Sequence, residues 1–165
     1  MASILVGQGI TPFGPATTSE TAHLTVTAGA SDDTVAPGKR LSLVFDITPK
    51  RGMHLYAPGK HTYQVVRLTL DQQPWMRAHE PTYPASEIYH FKPLNERVEV
   101  FQKPFRLVQD VTVLATPEVQ KLLAKETSVI ITGRLEYQAC DDKLCYSPQS
   151  VPVSWTLALK PLDRQ

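Results

Sequence analysis

Cys140 and Cys145 are the only two cysteines in 165 residues, and they stand five positions apart. Two thiols that close can form and break a disulfide, which is either a covalent staple or a carrier of two electrons. The run Val129-Ile130-Ile131-Thr132 leads towards them and an alternating run from Val151 to Leu159 leads away. The sulfurs are therefore expected to face each other across the mouth of a hairpin, with Asp141-Asp142-Lys143-Leu144 as the loop. Opposed residues on paired strands fall near the Cα separation of about 4.4–6.8 Å that a disulfide needs. As a staple the bridge is weak: chain entropy assigns a ring of this size about 2 kcal/mol, against about 4.7 kcal/mol for a hundred-residue loop. Asp141 and Asp142 would raise the thiol pKa values and Lys143 would lower them, so the flanking charges do not single out an activated thiolate. The spacing by itself suits an ordinary hairpin disulfide as well as a redox pair.

The longer segment Tyr137-Gln-Ala-Cys-Asp-Asp-Lys-Leu-Cys-Tyr-Ser-Pro-Gln149 resembles the active-site hairpin of the DsbD-type N-terminal periplasmic domains of thiol:disulfide interchange proteins. Two weaker likenesses lie upstream, in Gly52-Met-His-Leu-Tyr56 and in the stretch from Tyr83-Pro84 to Phe101, which resembles the connection covering the cysteines. The resemblance spans roughly Ala22 to Leu159 and is most specific over 137–149. It implies an all-β, immunoglobulin-like antiparallel β-sandwich and a protein-disulfide reductase activity carried by a reversible Cys140–Cys145 dithiol. It further implies a periplasmic location, a link to cytochrome c biogenesis, and no cofactor or small-molecule substrate. The implied partners are a membrane-embedded electron-transfer domain that supplies electrons and thioredoxin-like proteins that receive them; the isolated domain is expected to be monomeric. Both sulfurs can make the intermolecular bond, and the expectation favours Cys145.

Two departures matter. The loop between the cysteines has four residues here, one fewer than in the best-known members, and the covering segment is longer. Two aromatics can then serve as the cap that shields the sulfurs: Phe91, in His90-Phe-Lys-Pro-Leu94, and Tyr83, in Pro81-Thr-Tyr-Pro84. Phe91 is preferred, because Tyr83-Pro84 begins the covering segment and Val98-Glu-Val-Phe101 resembles the strand after it. Tyr56 matches an aromatic flanking the family's site; His54, Tyr137, Asp141 and Tyr146 are the other expected neighbours. Packing alone accounts for each of these aromatics equally well. Acid–base assistance, if used, falls to Glu136, Asp141 or Asp142.

The remaining sequence supplies the frame. A chain with 42% hydrophobic and 20% charged residues and a formal net charge of +1 reads as one globular domain. Near-neutral charge without basic clusters argues against nucleic acid or an anionic membrane surface as partner. No stretch approaches the roughly 20 apolar residues of a spanning helix, and Met1 to Gly7 lack the basic start of a secretory signal. A chain working in the periplasm is then expected to be a mature or truncated form. Residues 1–20, rich in Gly, Pro, Ser and Thr, read as a flexible leader, and residues 21–165 as the immunoglobulin-like domain.

Apolar residues recur at every second position from Leu24 to Ala28, Leu41 to Ile47 and Val66 to Leu70. Phe105 to Val113, Val129 to Tyr137 and Val151 to Leu159 continue the series, separated by turn signals, as a two-sheet sandwich requires. One short helix is expected after Thr116-Pro117-Glu118, with Val119, Leu122 and Leu123 as its apolar face. Period two places Tyr137 and Ala139 on the core row and Cys140 off it, unless a bulge intervenes, and sets Trp155 in the core.

Other functions fit less well. The cysteines with His23, His54, His61, His79 and His90 lack the short spacings of zinc sites. No glycine-rich nucleophile turn precedes either cysteine, against a papain-like hydrolase. The stronger rival is an immunoglobulin-like binding module with a purely structural bridge.

Overall fold

The computed structural model describes residues 16–160 and consists of strands in three sheets with one α-helix. The first sheet runs β1 (Thr17–Glu20), β2 (Leu24–Ala30), β4 (Arg40–Pro49), β10 (Phe105–Val113), β7 (Met76–Ala78). The second runs β3 (Thr34–Val35), β13 (Gln149–Leu159), β11 (Ser128–Tyr137), β6 (Arg67–Leu70), and the third β12 (Ala139–Cys140), β5 (His54–Tyr56), β9 (Glu96–Phe101), β8 (Glu87–Phe91). All pairings are antiparallel except that of β3 with β13. The fold is the expected immunoglobulin-like β-sandwich.

The alternating rows explain why two sheets close on each other. Leu24, Val26, Phe45 and Ile47 from the first sheet and Ile131, Leu135, Trp155 and Leu157 from the second are each at most 2% exposed. They form one core, in which the Trp155 ring meets Phe45 edge-on at 5.3 Å. Trp155 Nε1 donates to the Gly29 carbonyl at 3.0 Å, so its one polar atom is satisfied across the sandwich. α1 (Pro117–Leu123) starts as expected, with Thr116 Oγ1 accepting from the Val119 amide at 3.3 Å. Its face differs from the expectation: Val119 and Leu123 are buried, but Leu122 is 52% exposed. A seven-residue helix turns only a narrow stripe towards the core, and Leu122 lies at its margin.

Thr17–Glu20, read from composition as the end of a leader, instead form β1 along β2. The strand is nearly all exposed and carries no apolar row, so nothing in its composition marks it. The rest of the expected leader, residues 1–15, lies outside the described residues.

β11 is anchored to β6 by Glu136, which accepts from Arg67 Nε at 2.7 Å, Thr69 Oγ1 at 2.8 Å and Arg134 Nε at 3.1 Å. These bonds, Arg67 foremost, hold its carboxyl at about 2, below the ordinary 4.5. A carboxylate whose folded pKa is depressed stabilises the fold above its unfolded pKa, and that stability is lost as pH falls from about 4.5 towards 2. The site sits at the sheet surface, so the effect is on the order of 1 kcal/mol. Urea midpoints at pH 6 and pH 3 should differ less in Glu136→Gln than in the parent; equal differences would refute the assignment.

Candidate functional site

β11 and β13 pair residue for residue from Ser128↔Ala158 to Tyr137↔Gln149. Beyond them the cysteines pair as Cys140↔Cys145. Two residues, Gln138 and Ala139, therefore face three, Tyr146, Ser147 and Pro148. One extra residue on the return strand is a bulge, and it kinks the hairpin tip away from the sandwich. The freed segment β12 pairs with β5 instead, placing Cys140 opposite His54 and Ala139 opposite Leu55. Hydrogen bonds from Asp141 N to Leu144 O and from Tyr146 N to Ala139 O bracket the cysteines. They are thus a non-hydrogen-bonded pair, the closer of the two antiparallel arrangements, with Cα atoms 4.1 Å apart and a disulfide between them.

Asp141 shapes the loop. Its Oδ1 accepts from the amides of Lys143 and Leu144, both at 2.8 Å, and Oδ2 accepts from the Tyr146 hydroxyl at 3.1 Å. These bonds, that to Leu144 first, lower its pKa and leave it a loop-closing anion. Tyr146 in turn packs against His23, ring centroids 4.6 Å apart.

The two sulfurs have different surroundings. Cys140 is fully buried and Cys145 half-buried. Cys140 is indeed off the main core row, but that does not expose it. It enters a second, smaller cluster with Tyr56, Val98 and Val100, against which Tyr63, Tyr89 and Cys145 pack. The register accounts for this wall. Tyr56 lies opposite Val100 and Tyr89 opposite Val98, so Cys140, His54, Tyr56, Tyr89 and Phe91 all fall on one face of the third sheet.

Tyr56 is the residue that addresses both sulfurs, with its hydroxyl 2.9 Å from Cys140 Sγ and 3.3 Å from Cys145 Sγ. Burial pushes its pKa up, and the neighbouring Tyr63 and Glu96 add to this, so the hydroxyl keeps its proton. Tyr63 stacks on it at 4.1 Å and 5°, and donates to Glu96 Oε2 at 2.7 Å. His54, 2% exposed, packs against Tyr89 with centroids 4.1 Å apart. Its pKa is lowered to about 4 by burial, with Asp141 opposing.

Among the two expected caps, Phe91 closes β8 at the β8–β9 hairpin and is 8% exposed. Tyr83 packs on the main core with its hydroxyl donating to Val66 O at 2.8 Å, apart from the cluster around the sulfurs. Tyr137 also belongs to the main core, where its hydroxyl meets Thr21 Oγ1 and Gln149 Oε1. Sequence reasoning missed Tyr63 and Tyr89. The alternation in Glu87-Ile88-Tyr89-His90-Phe91 offered a signal, since it sets Tyr89 on the same face as Phe91. Among the described residues no group of three or more His, Cys, Asp or Glu is placed to hold a metal ion, and no helix is long and apolar enough to cross a membrane.

Comparisons with known proteins bear on this geometry. No curated protein sequence matches the chain. Among solved structures, the N-terminal periplasmic domain of ScsB from Proteus mirabilis superposes with a TM-score of 0.52 at 13% identity, over 83% of this chain and 47% of that one. That likeness is one of fold, and the chain spans about half the length of the ScsB chain. The DsbD N-terminal domain of Neisseria meningitidis in its reduced form aligns over 74% of this chain and 83% of that one, at 12% identity and a TM-score of 0.39. The family model described as "Thiol:disulfide interchange protein DsbD, N-terminal" matches residues 23–155, a span that takes in β5, the β8–β9 hairpin and both cysteines. The chain therefore belongs to the family of DsbD N-terminal domains, as a thiol–disulfide interchange domain.

Proposed function

We propose that this domain is a periplasmic protein-disulfide reductase module that takes two electrons from a membrane-embedded donor domain and hands them to thioredoxin-like proteins. The observation that carries the reading is the unequal setting of the two sulfurs: one buried, one half-buried, both under a single protonated tyrosine hydroxyl. A staple needs no such asymmetry. In the loading step, a donor thiolate attacks Cys145 Sγ, the S–S bond breaks, and its electron pair passes to Cys140 Sγ. Tyr56 donates a hydrogen bond to the developing thiolate, which an apolar pocket alone would disfavour. The donor's second thiol then attacks the mixed disulfide and leaves as a disulfide. Its two protons end on Cys140 and Cys145. Unloading reverses these roles: Cys145 attacks the recipient's disulfide and Cys140 resolves the intermediate.

Leu144, 49% exposed and adjacent in sequence to Cys145, supplies apolar surface for a partner next to the exchangeable sulfur. Phe91 is proposed as the shield of the reduced pair. Phe91→Ala should raise the alkylation rate of the reduced thiols several-fold, whereas Tyr83→Ala should leave it unchanged; the reverse order would move the cap to Tyr83.

The reading is tested by the equilibrium potential of the pair, from mass spectrometry of alkylated thiols in defined redox buffers. A value between roughly −180 and −270 mV is expected for an exchanging pair. A value below about −300 mV belongs to a structural bridge and would favour the binding-module alternative.

A further inference from the structure

The exchange steps above make no use of the buried group nearest the pair in the strand register. His54 stands directly opposite Cys140 across the β5–β12 pairing and is 2% exposed. Its ring is enclosed by Tyr89, at 4.1 Å between centroids, and by Tyr56, edge-on at 5.7 Å. Within that enclosure His54 Nε2 is buried and has no hydrogen-bond partner. A buried ring nitrogen left unpaired is destabilising, and in a native protein it calls for an explanation, a redox role among them. In the disulfide state the facing sulfur has no hydrogen to offer. Reduction creates one, on a thiol buried at the same place. Directly opposed side chains on paired strands have Cβ atoms about 4.5–5.5 Å apart, within the reach of an imidazole.

We propose that His54 is a positioning residue whose Nε2 accepts the hydrogen of the Cys140 thiol once the disulfide is reduced, so that the nitrogen is satisfied in the dithiol state and orphaned in the disulfide state. The inference rests on Cys140 and Cys145 being the redox pair. Two electrons and two protons from the donor dithiol convert S–S into two thiols, and the ring gains and loses no proton. It enters the step neutral, since burial keeps it uncharged well below neutral pH. The titratable groups around it are Tyr56 on its own strand, Tyr89 from β8, and Cys140 and Asp141 from the hairpin. A bond available only to the dithiol favours reduction, so His54 makes the pair a weaker reductant than it would otherwise be.

Two measurements decide this. In the unaltered protein, the His54 Nε2 nitrogen resonance, assigned through its own side-chain correlations, should move between the oxidised state and the state reduced with dithiothreitol. In His54→Phe, which keeps a ring against Tyr89 but removes the acceptor, the equilibrium constant for reducing the pair should fall about tenfold, or about 30 mV. His54→Gln, which restores an acceptor, should recover part of the loss. An unmoved Nε2 resonance, or a His54→Phe potential equal to the parent's, overturns the proposal, and the first readout holds even if the variant fails to fold. An exchanging potential with an unmoved resonance would sink this inference alone. A structural potential in the unaltered protein would sink the redox reading instead.

Discussion

Cys145→Ser is expected to abolish electron transfer while costing the fold no more than about 2 kcal/mol, the loop entropy of so small a ring. Its counterpart should behave differently in one respect. Cys140→Ser leaves the half-buried sulfur free, so it should capture a thioredoxin-like protein as a mixed disulfide that persists for want of a resolving thiol. Cys145→Ser leaves only a sulfur that is 0% exposed, and should accumulate no such complex. Non-reducing electrophoresis against an oxidised thioredoxin-like protein reads both, and urea unfolding reads the stability. A collapse in stability in either variant would mean a structural bridge. Trapping by Cys145→Ser in preference to Cys140→Ser would reverse the assigned roles.

Trp155→Ala should be the most destabilising single change, at about 3–5 kcal/mol from lost contacts and cavity formation. Leaving the Gly29 carbonyl without its donor adds about 1 kcal/mol or more. Against the roughly 5–15 kcal/mol that hold a typical domain together, this removes a large fraction, and the melting temperature should fall by roughly 10 °C or more. Trp155 and Phe45 lie in the main core, whereas the sulfurs sit in the smaller cluster on the third sheet. The folded fraction of Trp155→Ala should therefore keep the parent reduction potential. A potential that moved with stability would mean that the two clusters are one cooperative unit.

How much of this was legible in advance follows from the range over which each feature is determined. The strands at Leu24–Ala30, Arg40–Pro49, Phe105–Val113, Ser128–Tyr137 and Gln149–Leu159 could be read because each buries one face, and a half-buried strand must alternate. The Thr116 cap was readable because a helix start is satisfied within three residues. Trp155 was placed in the core by the same period. The short strands β1, β3, β5, β7 and β12 were not readable from period two, since two to four residues define no period and are held by their neighbours.

The site divides in the same way. The sequence by itself determined that Cys140 and Cys145 face each other, because a four-residue loop between paired strands leaves little else for them to do. It also carried the likeness to the family, in the residues from Tyr137 to Gln149. Only the tertiary structure decided which sulfur is buried. The one-residue offset between Tyr137↔Gln149 and Cys140↔Cys145 swings the hairpin tip onto β5, and there a residue off the core row is buried all the same. The resemblance put Tyr56 and His54 beside the cysteines, but the wall they complete with Tyr63 and Tyr89 was beyond the sequence. Those residues lie some fifty to ninety positions from the cysteines, and nothing local to any of them fixes a contact that exists only when β12, β5, β9 and β8 hydrogen-bond in that order.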